Sequence, residues 1–165
     1  MPLQAIRPAQ LDDLTDLAEL LRISFTDQAL RLGLTPETAP WHVAFRDATQ
    51  TEREMGYLSF FMAISDERPV GCIAIQSNVE PEYGGDGYIG RVAVHPQYRR
   101  RGYARMLMRF AETALGDRGA KRVRLVVISV LDDLIEFYAR QGYEVVGHRE
   151  YRDFGLTDMD KKLVP

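Results

Sequence analysis

The apolar positions of the chain follow two different periods, and together they predict an α/β fold. Apolar residues spaced by three and four positions predict two amphipathic helices. The apolar faces of these helices consist of Leu14, Leu17, Ala18, Leu21 and Phe25, and of Tyr103, Met106, Leu107, Phe110, Ala111 and Ala114. Short apolar runs bounded by turn residues predict strands. These strands lie near residues 4–7, 58–65, 70–78, 87–94, 122–130, 143–150 and 158–163.

The segments between these elements are more polar and contain helix-breaking residues. Residues 27–56 are interrupted by glycine and proline, and they leave room for one further helix between residues 41 and 54. The polar turn 66–69 is predicted to join two strands into a hairpin. Residues 79–86 are predicted to form a loop.

The C-terminal half adds the evidence for the sheet's arrangement. From Leu125 the strand near 122–130 is almost purely apolar, which predicts a central strand covered on both faces. A helix is predicted over residues 132–141, and Gly142 is well placed to end it. The order of elements therefore predicts a mixed sheet with helices on both faces.

Length and composition indicate one ordinary globular domain that spans residues 1–165. A net charge of −3 argues against a nucleic-acid partner, because broad nucleic-acid binding needs a basic surface. The single cysteine, Cys72, excludes an intrachain disulfide and a multi-cysteine metal site, and its apolar surroundings predict a buried structural thiol. No metal-ligand spacing stands out, so we expect no metal. Without a recognisable signal peptide or an apolar run of membrane length, we expect a cytoplasmic protein with no membrane partner.

The strand near 87–94 leads through a basic turn into the helix that starts at Tyr103. A helix start points several unpaired backbone N–H groups in one direction and adds partial positive charge. Gly102 and Ala104 keep side chains out of the way, so a phosphate group can approach the backbone. The sequence thus predicts an anion-binding turn, and the alternative is a solvated turn in which Arg99, Arg100 and Arg101 only face water.

The turn also resembles a family signature. Arg99-x-x-Gly102-x-Ala104 resembles the Arg/Gln-x-x-Gly-x-Gly/Ala motif of the GNAT acyltransferase superfamily, and residues 137–143 resemble its Phe-Tyr-x-x-x-Gly-Phe/Tyr segment. The resemblance implies a mostly antiparallel central sheet in which the fourth and fifth strands splay apart. It also implies that acetyl-CoA binds there. Its pyrophosphate would contact Arg99, Arg100, Arg101, Gly102, Tyr103 and Ala104, and its pantetheine arm would pair with Val92, Ala93 and Val94.

The same resemblance assigns a catalytic role to Tyr138. It would be the general acid that protonates the leaving thiolate, since an unperturbed phenol pKa of about 10 is close to that of an alkyl thiol. Its place on an apolar helix face favours the alternative of a core residue. One departure is Leu131, where the family often has an asparagine that contacts the pantetheine arm.

The base that deprotonates the amine is not identified. Tyr88 lies where some relatives carry a catalytic glutamate. The remaining candidates are Glu80, Glu82, Asp86, His148 and Glu150, each of which is more simply a solvated surface group, and a chain of bound water is a further alternative.

The resemblance therefore predicts an N-acyltransferase that moves an acetyl group from acetyl-CoA directly to a primary amine in a ternary complex. A small-molecule amine is favoured over a peptide or protein acceptor. A non-catalytic acyl-CoA sensor is the rival interpretation, and a homodimer is left open.

Overall fold

The computed structural model describes residues 3–77 and 86–164. Its strands and helices follow the predicted order: β1 (Ala5–Pro8), α1 (Leu14–Arg31), α2 (Ala48–Met55), β2 (Ser59–Ser65), β3 (Arg68–Ser77), β4 (Gly87–Val94), α3 (Tyr103–Asp117), β5 (Arg122–Ile128), α4 (Asp132–Arg140), β6 (Glu144–Tyr151) and β7 (Phe154–Lys162). Of the predicted loop 79–86, only Asp86 is among the described residues.

The strands form one seven-stranded sheet in the order β1-β2-β3-β4-β5-β7-β6. β1 pairs antiparallel with β2, and β7 pairs antiparallel with both β5 and β6. β4 and β5 are parallel, and their register covers Gly87 with Val123 and Tyr88 with Arg124. The predicted mixed, mostly antiparallel sheet is confirmed. The two-residue β4–β5 ladder is the hydrogen-bonding signature of the predicted splay.

Two compact units make up the chain. The first comprises Met1–Ala74 and Arg91–Phe110, and its core includes Leu17, Leu21, Phe60, Met62 and Leu107. The second comprises Ile75–Gly90 and Ala111–Pro165, and its core includes Leu115, Val123, Leu125, Tyr143 and Met159. A single domain over residues 1–165 stays a prediction.

The β2–β3 hairpin is tighter than predicted. Its turn is Asp66-Glu67, both with positive φ (49° and 60°), while Arg68 and Pro69 already belong to β3. A two-residue turn with positive φ at both positions follows the right-handed twist of the flanking strands, which favours it over a longer polar turn.

β5 lies inside the sheet between β4 and β7, as predicted, and its two faces are covered to different extents. Val123, Leu125 and Val127 are buried, whereas Arg124 and Val126 are only partly buried. The alternation shows that one face of β5 packs in the core and the other carries partly accessible and charged groups.

Gly71 on β3 allows a close approach within the first unit. A Cβ at this position would lie 2.8 Å from the carbonyl oxygen of Ala93 and 3.1 Å from Leu107 Cδ1. We expect Gly71→Ala to lower the free energy of unfolding by about 1–3 kcal/mol, because the backbone of β4 must shift. Urea denaturation followed by circular dichroism measures the change.

Gly116→Ala is the matched control. Gly116 lies inside α3, and a Cβ there would make only an ordinary contact of 3.8 Å with Leu163. This substitution is expected to raise the free energy of unfolding by up to about 1 kcal/mol, because alanine favours a helix interior over glycine. Equal stability of the two variants would contradict the proposed close approach.

Candidate functional site

The basic turn between β4 and α3 has a defined backbone. His95 N–H donates to the Val70 carbonyl at 2.8 Å, and the His95 ring accepts a hydrogen bond from Gln97 N–H. A short 3-10 turn at Pro96–Tyr98 follows. Arg100 (φ 62°) and Gly102 (φ 81°) then have positive φ, and this reverses the chain before α3 begins at Tyr103. The turn is therefore an ordered structure.

Arg99 is committed to holding this turn in place. Its Nε donates to the Val94 carbonyl at 3.1 Å, and its two terminal nitrogens bind the Ser24 carbonyl and the Asp27 carboxylate, both on α1. The guanidinium of Arg99, which the sequence predicted to bind phosphate, is thus bound to α1. Arg99 contributes to the turn by fixing the position of the backbone rather than by supplying a free charge.

The described residues leave space in front of the helix start. Among them, the nearest neighbour of a Cβ at Gly102 would be Arg105 Nη2, at 3.7 Å. Arg100, Arg101 and Arg105 are exposed, and the Arg101 guanidinium lies 5.1 Å from the centre of the Tyr98 ring. Because the first N–H groups of a helix have no intrahelical acceptor, this arrangement fits a phosphate group.

β4 has a feature that the sequence did not predict. Arg91 has φ 52°, and its guanidinium binds both carboxylate oxygens of Glu54 on α2, Nη2 at 2.7 Å from Oε1 and Nε at 3.1 Å from Oε2. Arg46 also pairs with Glu54, which is 5% exposed. Buried Cys72 donates its thiol to the Arg91 carbonyl, and burial raises the pKa of that thiol to about 12. Cys72 is thus buried and unreactive, as predicted.

His42 lies near this cluster and is buried among the rings of Phe25, Trp41 and Phe45. Its Nδ1 accepts from Ala44 N–H, and its Nε2 is 3.0 Å from Gln28 Oε1. Burial lowers the pKa of His42, and the charges of Arg46 and Arg91 lower it further. A neutral imidazole therefore packs in this segment as a structural group.

Tyr138 lies on α4, partly buried, with its ring edge-on to Phe137 and to Tyr143. Its hydroxyl has no hydrogen-bond partner among residues 3–77 and 86–164. Burial raises the pKa of Tyr138, and the nearby Tyr88 phenol raises it further. The side chain is a protonated donor at neutral pH, with a hydrogen bond still to give.

Tyr143 is a contrasting neighbour. Its hydroxyl donates to Glu112 Oε1 at 2.9 Å, and Lys161 Nζ binds the other oxygen of Glu112 at 2.9 Å. Burial and the Glu112 carboxylate raise the pKa of Tyr143. Because its proton is held by Glu112, Tyr143 is a structural support for Tyr138 rather than an alternative acid.

The side chain of Tyr88 occupies space that is free because the residue two positions further along β4 is a glycine. A Cβ at Gly90 would lie 2.6 Å from the Tyr88 hydroxyl oxygen and 2.7 Å from its Cε1. The ring therefore lies flat along the strand over Gly90. This close contact accounts for the glycine at position 90, and the positive φ of β4 falls on the next residue, Arg91.

The remaining sequence candidates are placed as follows. Leu131 is the N-cap residue of α4, fully packed and without a side-chain cap hydrogen bond. Asp86 accepts from Lys121 N–H, and His148 Nδ1 is 3.2 Å from Thr157 Oγ1. Glu150 is exposed, while Glu80 and Glu82 lie outside the described residues.

Two properties concern metals and membranes. Within residues 3–77 and 86–164, no group of three or more histidine, cysteine, aspartate or glutamate side chains is arranged to hold a metal ion. None of the helices in these ranges has the length and apolar character to cross a membrane.

Residues 14–143 match the family model described as the acetyltransferase (GNAT) family. No curated protein resembles the chain closely enough to count as a relative.

Solved structures agree on the fold. A GCN5-related N-acetyltransferase from Rhodopseudomonas palustris aligns with a TM-score of 0.78 at 22% identity over 99% of each chain. The PaiA N-acetyltransferase of Thermoplasma acidophilum, in complex with coenzyme A, aligns with a TM-score of 0.74 at 19% identity over 99% of this chain and 100% of that one. A GNAT family acetyltransferase from Elizabethkingia anophelis with acetyl-CoA bound gives 0.70 at 11% identity, over 96% and 97%.

The Glu54 cluster gives a test of what shapes β4. Glu54→Gln removes the carboxylate that Arg46 and Arg91 share and leaves two partly buried cations without it. We expect the free energy of unfolding to fall by about 3–5 kcal/mol, the usual result of removing one partner from a buried ion pair. Glu52→Gln, an exposed change on the same helix, should stay within about 0.5 kcal/mol of the wild type. Equal urea midpoints for the two variants would contradict the role given to Glu54.

Proposed function

Because the chain belongs to the GNAT acetyltransferase family, we propose that it transfers the acetyl group of acetyl-CoA directly to a primary amine of a small molecule within a ternary complex. The observation that carries the proposal is the open, basic helix start after β4. It combines the positive φ of Gly102, free space in front of the glycine and exposed arginines on one turn.

In this proposal the backbone of the turn holds the pyrophosphate. The N–H groups of residues 100–104 supply donors, and Arg100, Arg101 and Arg105 supply charge at the rim. Arg99 is a positioning residue, since its guanidinium is bound to α1. The backbone of Val92, Ala93 and Val94 pairs with the amides of the pantetheine arm and polarises the thioester carbonyl.

The reaction then needs one proton removed and one supplied. The amine nitrogen forms a bond to the thioester carbonyl carbon, the carbon–sulfur bond breaks, and the amine loses a proton to water or a base. The departing thiolate takes its proton from the Tyr138 hydroxyl, which has no acceptor among the residues that the structure describes. Burial raises the pKa of Tyr138, and loss of solvent would also raise the pKa of a thiol in the same surroundings.

Gly102→Asp tests the phosphate-binding turn. It adds a side chain and a negative charge in front of the helix start, and we expect the affinity for acetyl-CoA to fall at least tenfold, on the order of 1.4 kcal/mol. Isothermal titration calorimetry on the folded variant measures the loss.

Gly119→Asp is the matched control for this experiment. Gly119 also has a large positive φ (91°) and open space around it, so it suffers the same backbone strain and gains the same charge. Its affinity for acetyl-CoA should match that of the wild type. If both variants bind acetyl-CoA equally well, the pyrophosphate does not bind at Gly102.

Tyr138→Phe tests the general acid. The ring and its packing remain and the proton is lost, so kcat should fall by about 10²–10⁴-fold while acetyl-CoA affinity stays within a few fold. Because the pKa of Tyr138 is raised, the wild-type kcat should show no loss from this group as the pH rises towards about 10. Thiol release with an accepted amine measures both effects, and Tyr57→Phe on the exposed surface is the control.

Turnover near the wild-type level would show that Tyr138 is a packing residue. Tight acetyl-CoA binding without thiol release from any amine of a broad panel would favour a non-catalytic sensor.

A further inference from the structure

The strands of the second unit carry a line of charged residues on one sheet face. Arg124 on β5 is paired in register with Asp160 on β7, and Val126 with Asp158. Tyr88 on β4 is the register partner of Arg124 on the other side. Directly paired residues of neighbouring strands project to the same face. On this face, Arg124 on β5 therefore lies between Tyr88 on β4 and Asp160 on β7.

The two acids of this face already have arginine partners. Arg122 Nη1 donates to Asp160 Oδ2 at 2.9 Å. Arg149 contacts Asp158 through three N–O distances of 3.0 to 3.3 Å. The negative charge of each carboxylate is thus balanced by an arginine other than Arg124.

Arg124 differs from these two arginines because its guanidinium makes no hydrogen bond within residues 3–77 and 86–164. Its Nη2 lies 3.9 Å from Asp160 Oδ2, the oxygen that Arg122 already occupies. Its Nε is fully buried and has no partner. The side chain is 19% exposed, compared with 48% for Arg122. A largely buried cation with an unsatisfied N–H lowers the stability of a folded protein unless a ligand accepts the missing hydrogen bond.

The position of Arg124 connects it with the proposed reaction, on the side where the amine acceptor would bind. Tyr88–Arg124 is the last register pair of the β4–β5 ladder, and the Tyr88 phenol is close enough to Tyr138 to raise its pKa. The Arg124 guanidinium has N–H groups still to donate, and a planar guanidinium matches the two oxygens of a carboxylate, which it binds in a two-point fashion.

We propose that Arg124 binds a carboxylate of the acceptor, so the substrate class is a primary amine that carries a carboxylate, as in an amino acid. This inference rests on the proposed acetyl transfer and adds the chemistry at the other end of the acceptor. The carboxylate completes the guanidinium's hydrogen bonds, and the amine lies on the side of Tyr88 and Tyr138.

Matched acceptor pairs test the proposal in turnover. Each pair is an amino acid and its carboxamide, for example alanine and alaninamide, assayed by thiol release from acetyl-CoA. For the wild type we expect kcat/KM of the acid to exceed that of the amide by at least about tenfold, the scale of one hydrogen bond to a charged group. In Arg124→Gln this ratio should fall to within about threefold, through loss with the acid and little change with the amide.

Two further variants separate recognition from a structural role. Arg124→Met should raise the melting temperature, because it replaces an unsatisfied buried cation with an apolar chain, and it should abolish the preference for the acid. A lowered melting temperature together with an unchanged preference would show that Arg124 serves the fold. Arg109→Gln, an exposed change on α3, controls for loss of one positive charge and should keep the preference.

A binding measurement decides the matter if turnover is absent. N-acetylalanine, the product of the acid, should raise the melting temperature of the wild type in the presence of CoA, and N-acetylalaninamide should not. Arg124→Gln should show no such difference. Acetylation of amines without preference for the acid overturns the inference and leaves acetyl transfer standing. The absence of thiol release from every amine counts against acetyl transfer. If both products then change the melting temperature equally, the Arg124 site is overturned as well, and water accepts the remaining hydrogen bonds of the guanidinium.

Discussion

The course of β4 depends on one buried carboxylate. Arg91 has a backbone conformation that L-residues avoid at a cost of about 1–2 kcal/mol. Two charged hydrogen bonds from its guanidinium to Glu54 offset that cost, and Arg46 holds the same carboxylate. The residues directly after Arg91 are those proposed to pair with the pantetheine arm, and the turn after them is the proposed phosphate site. The ion pair between Glu54 on α2 and Arg91 on β4 thus supports the backbone conformation of the segment that is proposed to contact the cofactor.

Arginines perform three different tasks in this protein, and their surroundings distinguish them. Arg91 and Arg99 are satisfied internally and shape the backbone. Arg100 and Arg101 are exposed at the helix start, where their charge is available to a phosphate group. Arg124 is largely buried, and its Nε has no hydrogen-bond partner within the described residues, which is costly for an internal cation. Such a cost is consistent with the binding role proposed for it.

The two tyrosines of the α4 region show how contacts separate residues of the same type. Tyr143 is anchored because its hydroxyl donates a hydrogen bond to Glu112, and Lys161 binds the other oxygen of Glu112. Tyr138 packs against Tyr143, and its hydroxyl has no acceptor in the part of the chain that the structure describes. Burial raises the pKa of both phenols. The difference between a support and a candidate acid therefore lies in hydrogen bonding and not in the pKa direction.

The sequence by itself determined the order of the elements, the mixed sheet, the buried Cys72 and the helix start at Tyr103, because apolar periodicity and glycine positions are patterns among residues close together in the chain. It also determined the family, since both motifs are contiguous. Tertiary structure alone decided the rest. Glu54 and Arg91 are 37 residues apart, and Arg99 reaches α1 across 72 residues. No local pattern therefore reveals that Glu54 binds Arg91 or that the Arg99 guanidinium is bound to α1. The unsatisfied state of Arg124 is likewise a property of three neighbouring strands, because whether a charge has a partner depends on what the fold places beside it.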